Sequence, residues 1–335
     1  MFYNWLDNWD ERRAQRGDEA KKTTEFTLGS EFGFPAAKKV SAMAELCTLA
    51  QQAVADPYFY NSPHESISDV LLEDGLIKFQ SGISTETEQN NVVVAKITES
   101  GSLDHALVIF HHWNASKRNT QIANYFSKRG ITVIEISLPY HFERSRIGST
   151  HADYMLSSNL GRTIQSVRQA VWDGLKLINW LKFEGYGQIS VLGMSLGSWV
   201  AGLVAAHEPF VKKASLFLSA GSLADMVWTG RATRKIRESL EPSVGLIELR
   251  NAWAPLNLEN YTSKLSRPEL DLQVVLAKRD TVVSPELSEQ FIGRLKEAGA
   301  TPDVLTLNCG HYSLALPPNI LWAGLNLKRL LKSGN

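Results

Sequence analysis

The run Gly193-Met194-Ser195-Leu196-Gly197 sets a serine between two glycines, a pattern suited to a nucleophilic hydroxyl carried on a tight turn. At about 7% usage for Gly and for Ser, such a motif arises by chance about 0.1 times in a chain of this size, so its setting decides its meaning. A hydroxyl is a poor nucleophile at neutral pH and needs a base within hydrogen-bond reach. Among the eight histidines, His311 is the best placed, in Asn308-Cys-Gly-His-Tyr, on a glycine-bearing loop after the last strand pattern. A base that becomes imidazolium needs a carboxylate to fix its tautomer and offset its charge. Asp280 fits this need, because Ala277-Lys-Arg-Asp-Thr-Val-Val-Ser-Pro puts it just past a buried strand pattern and ahead of a helix pattern. The plainer readings are a loop histidine without a role and a turn aspartate ahead of a helix. His105 at a strand start and His207 at a helix end read as structural.

The elements around the serine suit it. Gln188 to Leu192 reads as a buried strand, and Ser198-Trp-Val-Ala-Gly-Leu-Val-Ala-Ala as a tightly packed helix. A strained turn between them would lift the hydroxyl out of a sheet, with the glycines allowing close approach of strand and helix. Upstream, the first thirty-five or so residues are charged with aromatic spots and read as an arm over the domain, followed by helical composition from Ala36 to Ala55. Leu76 to Gln80 and Val92 to Ile97 read as a hairpin. Strand patterns then recur at 106–110, 131–136, 214–218, 272–277 and 303–307. Helix patterns fall at 120–129, 163–182, 286–298 and 320–331. Continuous apolar strands separated by helices predict a mostly parallel sheet covered on both faces. The connections 138–162 and 221–268 exceed a simple crossover and predict insertions. The second, with Trp228, Trp253 and Tyr261, is the stronger candidate for a lid.

Composition narrows the partners. Lys plus Arg and Asp plus Glu number 35 each, so no positive excess argues for nucleic acid or an anionic membrane. No run of 18 apolar residues predicts a membrane span. The N-terminus carries acidic residues early and does not read as a signal peptide. The two cysteines, Cys47 and Cys309, are far apart and lack metal-ligand spacing. Together these features predict a cytoplasmic protein with a small-molecule partner.

From Leu76 to Lys332 the chain resembles the α/β-hydrolase fold superfamily, on the elbow motif and on the order nucleophile, acid, histidine. The elbow, Gly-x-Ser-Leu-Gly-Ser, is similar to that of a serine esterase or lipase-like branch. Residues 1–75 read from composition as an N-terminal helical arm and helix packing on the core, and the resemblance implies a hydrolase domain over 76–335 that carries the two insertions. It also implies an ester hydrolase working through an acyl-enzyme on Ser195, with His311 as base, Asp280 as acid and no cofactor or metal. One oxyanion donor is expected at the Leu196 N–H. The other is implied at the Trp113 N–H, in His111-His112-Trp113-Asn114, where His112 replaces the glycine usual in the family. A metal site on the adjacent histidines is the weaker reading. Asp225 is a second candidate acid, because some members of the family carry the acid there. His112, Tyr140, His141, Met194 and Trp228 are candidates for the substrate pocket. The basic cluster Arg231, Arg234, Lys235 and Arg237 reads as a solvated helix face before a clamp for an anionic group. The Trp- and Leu-bearing insertion suggests an apolar acyl or aromatic substituent. An acyltransferase, a thioesterase, an amidase and a non-catalytic binding protein on the same fold stay open.

Overall fold

A computed structural model of the chain describes residues 2–60 and 69–333. The stretch 61–68, within the predicted N-terminal segment 1–75, lies outside the described residues. The strands are β1 (Leu71–Glu73), β2 (Leu76–Gln80), β3 (Val92–Thr98), β4 (His105–Phe110), β5 (Thr132–Ile136), β6 (Gln188–Met194), β7 (Val211–Phe217), β8 (Asp271–Ala277) and β9 (Asp303–Leu307). They form one nine-stranded sheet in the order β1-β2-β3-β5-β4-β6-β7-β8-β9. The first strands are antiparallel, including the predicted hairpin β2/β3, and from β5 to β9 every pairing is parallel.

Burial on both faces explains the continuous apolar runs. Every residue of β4 is buried. Val108 and Phe110 face a core shared with Val167 and Val171 of helix Leu160–Phe183 and with Val200 and Leu203 of helix Leu196–His207. Leu107 and Ile109 face the opposite core, with Phe126 of helix Thr120–Ser127 and Leu327 and Leu331 of helix Asn319–Lys332. The period-2 alternation of side chains makes this two-sided layering possible. Helix Leu196–His207 is apolar on all sides and buried through Ala206, so it sits inside the protein rather than on its surface.

Two sequence expectations change, and the N-terminal helical arm takes a definite form. The helix predicted over Ala36–Ala55 begins only at Met43. Ahead of it, the Ser30 hydroxyl accepts the Val40 N–H at 3.0 Å, and Lys39 pairs with Glu31 at 3.0 Å. These bonds, spanning eight to ten residues, accompany the non-helical course of 36–42. The N-terminal arm is largely a helix, Phe2–Glu19, continued by a strap in which Thr27 bridges to Asn159. Trp253 and Tyr261 are core residues with 0% and 2% exposure, their polar atoms bonded to the carbonyls of Leu160 and Pro255. Short helices between β7 and β8 pack these rings inward, where burial gains more than exposure over a cleft.

The turn after β6 leaves no room at its glycines. A Cβ on Gly197 would lie 2.2 Å from the Phe110 carbonyl oxygen and 2.4 Å from that of His111, and one on Gly193 would lie 2.3 Å from the Gly197 carbonyl oxygen. Gly197→Ala should therefore lower stability by about 2–3 kcal/mol or more, read from urea midpoints. Gly293→Ala, in helix Pro285–Glu297 with nothing within 4 Å of the new methyl, should raise it by about 0.5–1 kcal/mol. Equal midpoints for the two variants would contradict the close approach.

Candidate active site

Because β4, β6, β7, β8 and β9 run parallel and side by side, the loops at their C-terminal ends meet along one edge of the sheet. Ser195 follows β6 directly with φ 52° and ψ −124°, a conformation that costs a non-glycine residue about 1–3 kcal/mol. Local bonds offset the strain. The Ser195 N–H donates to the Phe217 carbonyl at 2.9 Å, and its own carbonyl accepts the Ser198 N–H at 2.7 Å and the Ser198 hydroxyl at 2.6 Å. The side chain remains half-buried at the top of the sheet.

Asp280 lies in the turn after β8 and His311 in the loop after β9. The Asp280 Oδ1 accepts the N–H groups of Val282 and Val283 at 2.7 and 2.9 Å, which fixes the carboxylate. Its Oδ2 lies 2.7 Å from His311 Nδ1, and His311 Nε2 lies 3.1 Å from Ser195 Oγ. A carboxylate only accepts, so the proton belongs on Nδ1 and leaves Nε2 to accept from the serine hydroxyl. Both side chains are withdrawn from solvent, at 1% and 9% exposure for Asp280 and His311. Asp225 stands elsewhere, with its carboxylate held by Arg250, including an Nε to Oδ2 bond of 2.8 Å. Cys309 is no rival nucleophile, because burial, then Asp10 and Asp280, push its thiol up to about 12.

The loop after β4 is held by its own histidines. His111 Nε2 accepts the Leu138 N–H at 3.1 Å, so Nδ1 carries the proton and donates to the His112 carbonyl at 2.8 Å. His141 repeats the device, accepting the Asn114 N–H at 2.9 Å and donating to the Pro139 carbonyl at 2.9 Å. Burial holds both rings neutral, His141 at about 4 and His111 well below its ordinary value. With both nitrogens of His111 engaged by main chain, the adjacent histidines are not a ligand pair. His112 is an exposed residue beside these loops, with neighbouring atoms that displace water from its ring. That crowding, then the neighbouring His311 and Arg13, lowers its pKa to about 4. The Trp113 N–H has no acceptor among the described residues, and the Leu196 N–H, first in its helix, has none within it. Gly197 packs against the Phe110 and His111 carbonyls, so this loop and the first turn of that helix share one site.

A cleft of about 620 Å3 opens beside Trp113. Its walls come from the N-terminal strap and from 146–159 of the first insertion, whereas the second contributes Ile236 and Ser239. The Trp113 indole donates to the Ala152 carbonyl at 2.9 Å, and the Lys21 ammonium sits 4.2 Å from its ring. Burial lowers Lys21 to about 8, with Asp18 opposing. Tyr140 and His141 are buried and line a separate recess of about 230 Å3. Met194 is half-buried, its sulfur 3.8 Å from the Asn119 amide, and Trp228 lies under the Arg237 guanidinium at 5.3 Å. In the basic cluster, Arg231 pairs with Glu11, Lys235 with Glu238 and Arg237 with Glu241, so these charges are met within the protein. Among the described residues no helix is long and apolar enough to cross a membrane, and no cluster of three His, Cys, Asp or Glu could hold a metal.

No family model matches the sequence, and neither does any curated protein. Solved structures do match. An esterase from Pyrococcus furiosus is 16% identical over 78% of this chain and 93% of its own, with a TM-score of 0.54. Acetyl xylan esterase 1 from Thermoanaerobacterium sp. is 14% identical over 88% of this chain and 99% of its own, at 0.59. An acylaminoacyl peptidase from Pyrococcus horikoshii is 12% identical over 77% of this chain and 42% of its own, at 0.60.

The buried imidazoles set a pH dependence for the fold. His105, bonded to Ser190 at 2.8 Å, and His207, bonded to the Leu203 carbonyl at 2.8 Å, are also lowered to about 4 by burial. From pH 6.5 down to about 4 the unfolded chain takes up protons that these folded rings refuse, so stability falls as pH drops through that window. Each ring contributes up to about 1.4 kcal/mol per pH unit there. Melting curves should show Tm falling below pH 6.5, with a shallower slope in His105→Gln. A Tm unchanged from pH 7 to 4.5 would refute buried neutral rings.

Proposed function

The chain has the α/β-hydrolase fold, and from that premise we propose that it is a serine hydrolase cleaving carboxylic esters. The observation that carries the reading is the continuous line Asp280 Oδ2, His311 Nδ1, His311 Nε2, Ser195 Oγ, with spacings of 2.7 and 3.1 Å across space. Ser195 Oγ attacks the carbonyl carbon while His311 Nε2 takes its proton, and Asp280 stabilises the imidazolium that forms. The Leu196 and Trp113 N–H groups receive the oxyanion. The imidazolium then protonates the leaving alkoxide, which departs as the alcohol. Water, deprotonated by the same ring, attacks the acyl-enzyme and releases the acid.

The likeness to esterases in fold supports ester or related hydrolysis. The acylaminoacyl peptidase neighbour gives a second reading, cleavage of an amide, for which the attack is the same and the leaving group is an amine. The cleft beside Trp113 is lined by none of Ser195, Asp280 and His311 and adjoins them only through Trp113, so it would take the part of a substrate away from the reacting carbonyl, and it favours a polar portion over a long apolar acyl chain. There Phe32, Trp113 and Tyr154 alternate with Lys21, Arg146 and Arg162.

Ser195→Ala should abolish both fluorophosphonate labelling and p-nitrophenyl acetate hydrolysis, and labelling that persists overturns the proposal. Asp280→Asn should lower kcat by about 100- to 10,000-fold, whereas Asp225→Asn should leave it within about twofold. Activity on graded p-nitrophenyl esters should be highest for short acyl chains. Faster turnover of the matching p-nitroanilides would favour the amide reading.

A further inference from the structure

The N-terminal helix Phe2–Glu19 lies against the two loops that carry His311 and Asp280. Asp10, only 4% exposed, accepts through Oδ1 the N–H groups of Tyr312 at 2.6 Å and Ser313 at 3.0 Å, the two residues that follow His311. On the other flank of His311, a Cβ on Gly310 would lie 2.6 Å from the Asp10 carboxylate, and the Gly310 N–H donates to the Ser313 hydroxyl at 2.8 Å. Arg13 stands over the Tyr312 ring at 5.4 Å. Beside the acid, the Asp7 carboxylate grips Arg279 in a two-point pair whose Nε contact is 2.6 Å. The Arg279 N–H reaches the Cys309 carbonyl at 3.0 Å, which ties the two loops together. Glu11 pairs with Arg231, whose N–H donates to the Thr281 carbonyl at 2.8 Å.

Burying the Asp10 carboxylate is costly, since its Oδ2 has no partner among the described residues. The return is a turn fixed on both sides of one imidazole. A loop after an edge strand has a sheet ladder on one side only, so its ring position depends on such outside acceptors. We propose that Asp10 is a positioning residue for His311, holding the ring between Asp280 and Ser195, and that Asp7 does the same for the Asp280 turn through Arg279. The N-terminal helix thereby completes the site from outside the sheet. This inference rests on the hydrolase reading above.

A displacement of an ångström at the base costs about 100-fold in rate with little change in ground-state binding. In the full-length protein, Asp10→Ala should lower kcat and the rate of fluorophosphonate labelling by about 10- to 100-fold, with KM within about threefold. Asp10→Asn, whose amide oxygen can accept the same two N–H groups, should recover to within about threefold of wild type. Asp7→Ala, at a half-exposed site, should lower kcat several-fold at unchanged Tm, and it carries the test if Asp10→Ala does not fold. Wild-type labelling rates in both alanine variants overturn the positioning role, as does an Asn variant no better than Ala. A wild-type chain that takes no label overturns the hydrolase reading, and this inference with it.

Discussion

The main chain at Ser195 takes a positive φ of 52° between a buried strand and a buried helix, and the rest of the site depends on that turn. The conformation persists because its surroundings over-determine it. Phe217 of β7 accepts its N–H, Ser198 caps its carbonyl by two bonds, and Gly197 meets two carbonyls of the β4 end at a distance no side chain would permit. The close approach to Phe110 and His111 brings the loop after β4 to the hydroxyl, because any looser crossing would carry that loop away. The strain cost of about 1–3 kcal/mol is small against the burial of a helix apolar on every side.

Around this turn the loops are fixed by buried polar groups. Ladders end where loops begin, so each loop finds its acceptors and donors elsewhere. His111 and His141 do this as neutral rings that each accept one main-chain N–H and donate to one carbonyl. Arg144, fully buried, binds the carbonyls of Asn90 and Ser137 and pairs with Asp173 at 2.8 Å, which pins the loop after β5. Removing one member of such a pair leaves an uncompensated buried charge, so these loops resist displacement. A site held this way keeps its geometry before substrate arrives.

Much of the fold is legible in local pattern. Strands β4, β6 and β8 differ from the predicted bounds by one or two residues, because burial on both faces demands continuous apolar runs, and the half-exposed edge strand β9 keeps its predicted bounds. The misreadings share one cause. Helical composition over 36–42 gave way to the bonds that Ser30 and Glu31 make to Val40 and Lys39. Trp253 and Tyr261 looked like lid aromatics, yet the short helices between β7 and β8 turn them into the core. In each case the deciding contact lies beyond the helical or strand period that local pattern reads, eight to ten residues away in the first and set by tertiary packing in the second.

By itself the sequence determined the chemistry on offer and its order along the chain. A serine between two close-approach glycines, an aspartate after one strand and a histidine after another are local facts, and so is the parallel sheet that local periodicity predicts. Tertiary structure alone decided which acid meets the histidine, since Asp280 and Asp225 both follow strands and only the fold gives one of them to His311 and the other to Arg250. It also decided that the cleft is walled by the N-terminal strap and the first insertion, and that Asp10 grips the loop of a histidine 301 residues away, counted from 10 to 311. The physical reason is range. Periodicity and turn chemistry act over a few residues, whereas hydrogen bonds and charge pairs act across a few ångströms of space that only the folded chain brings together.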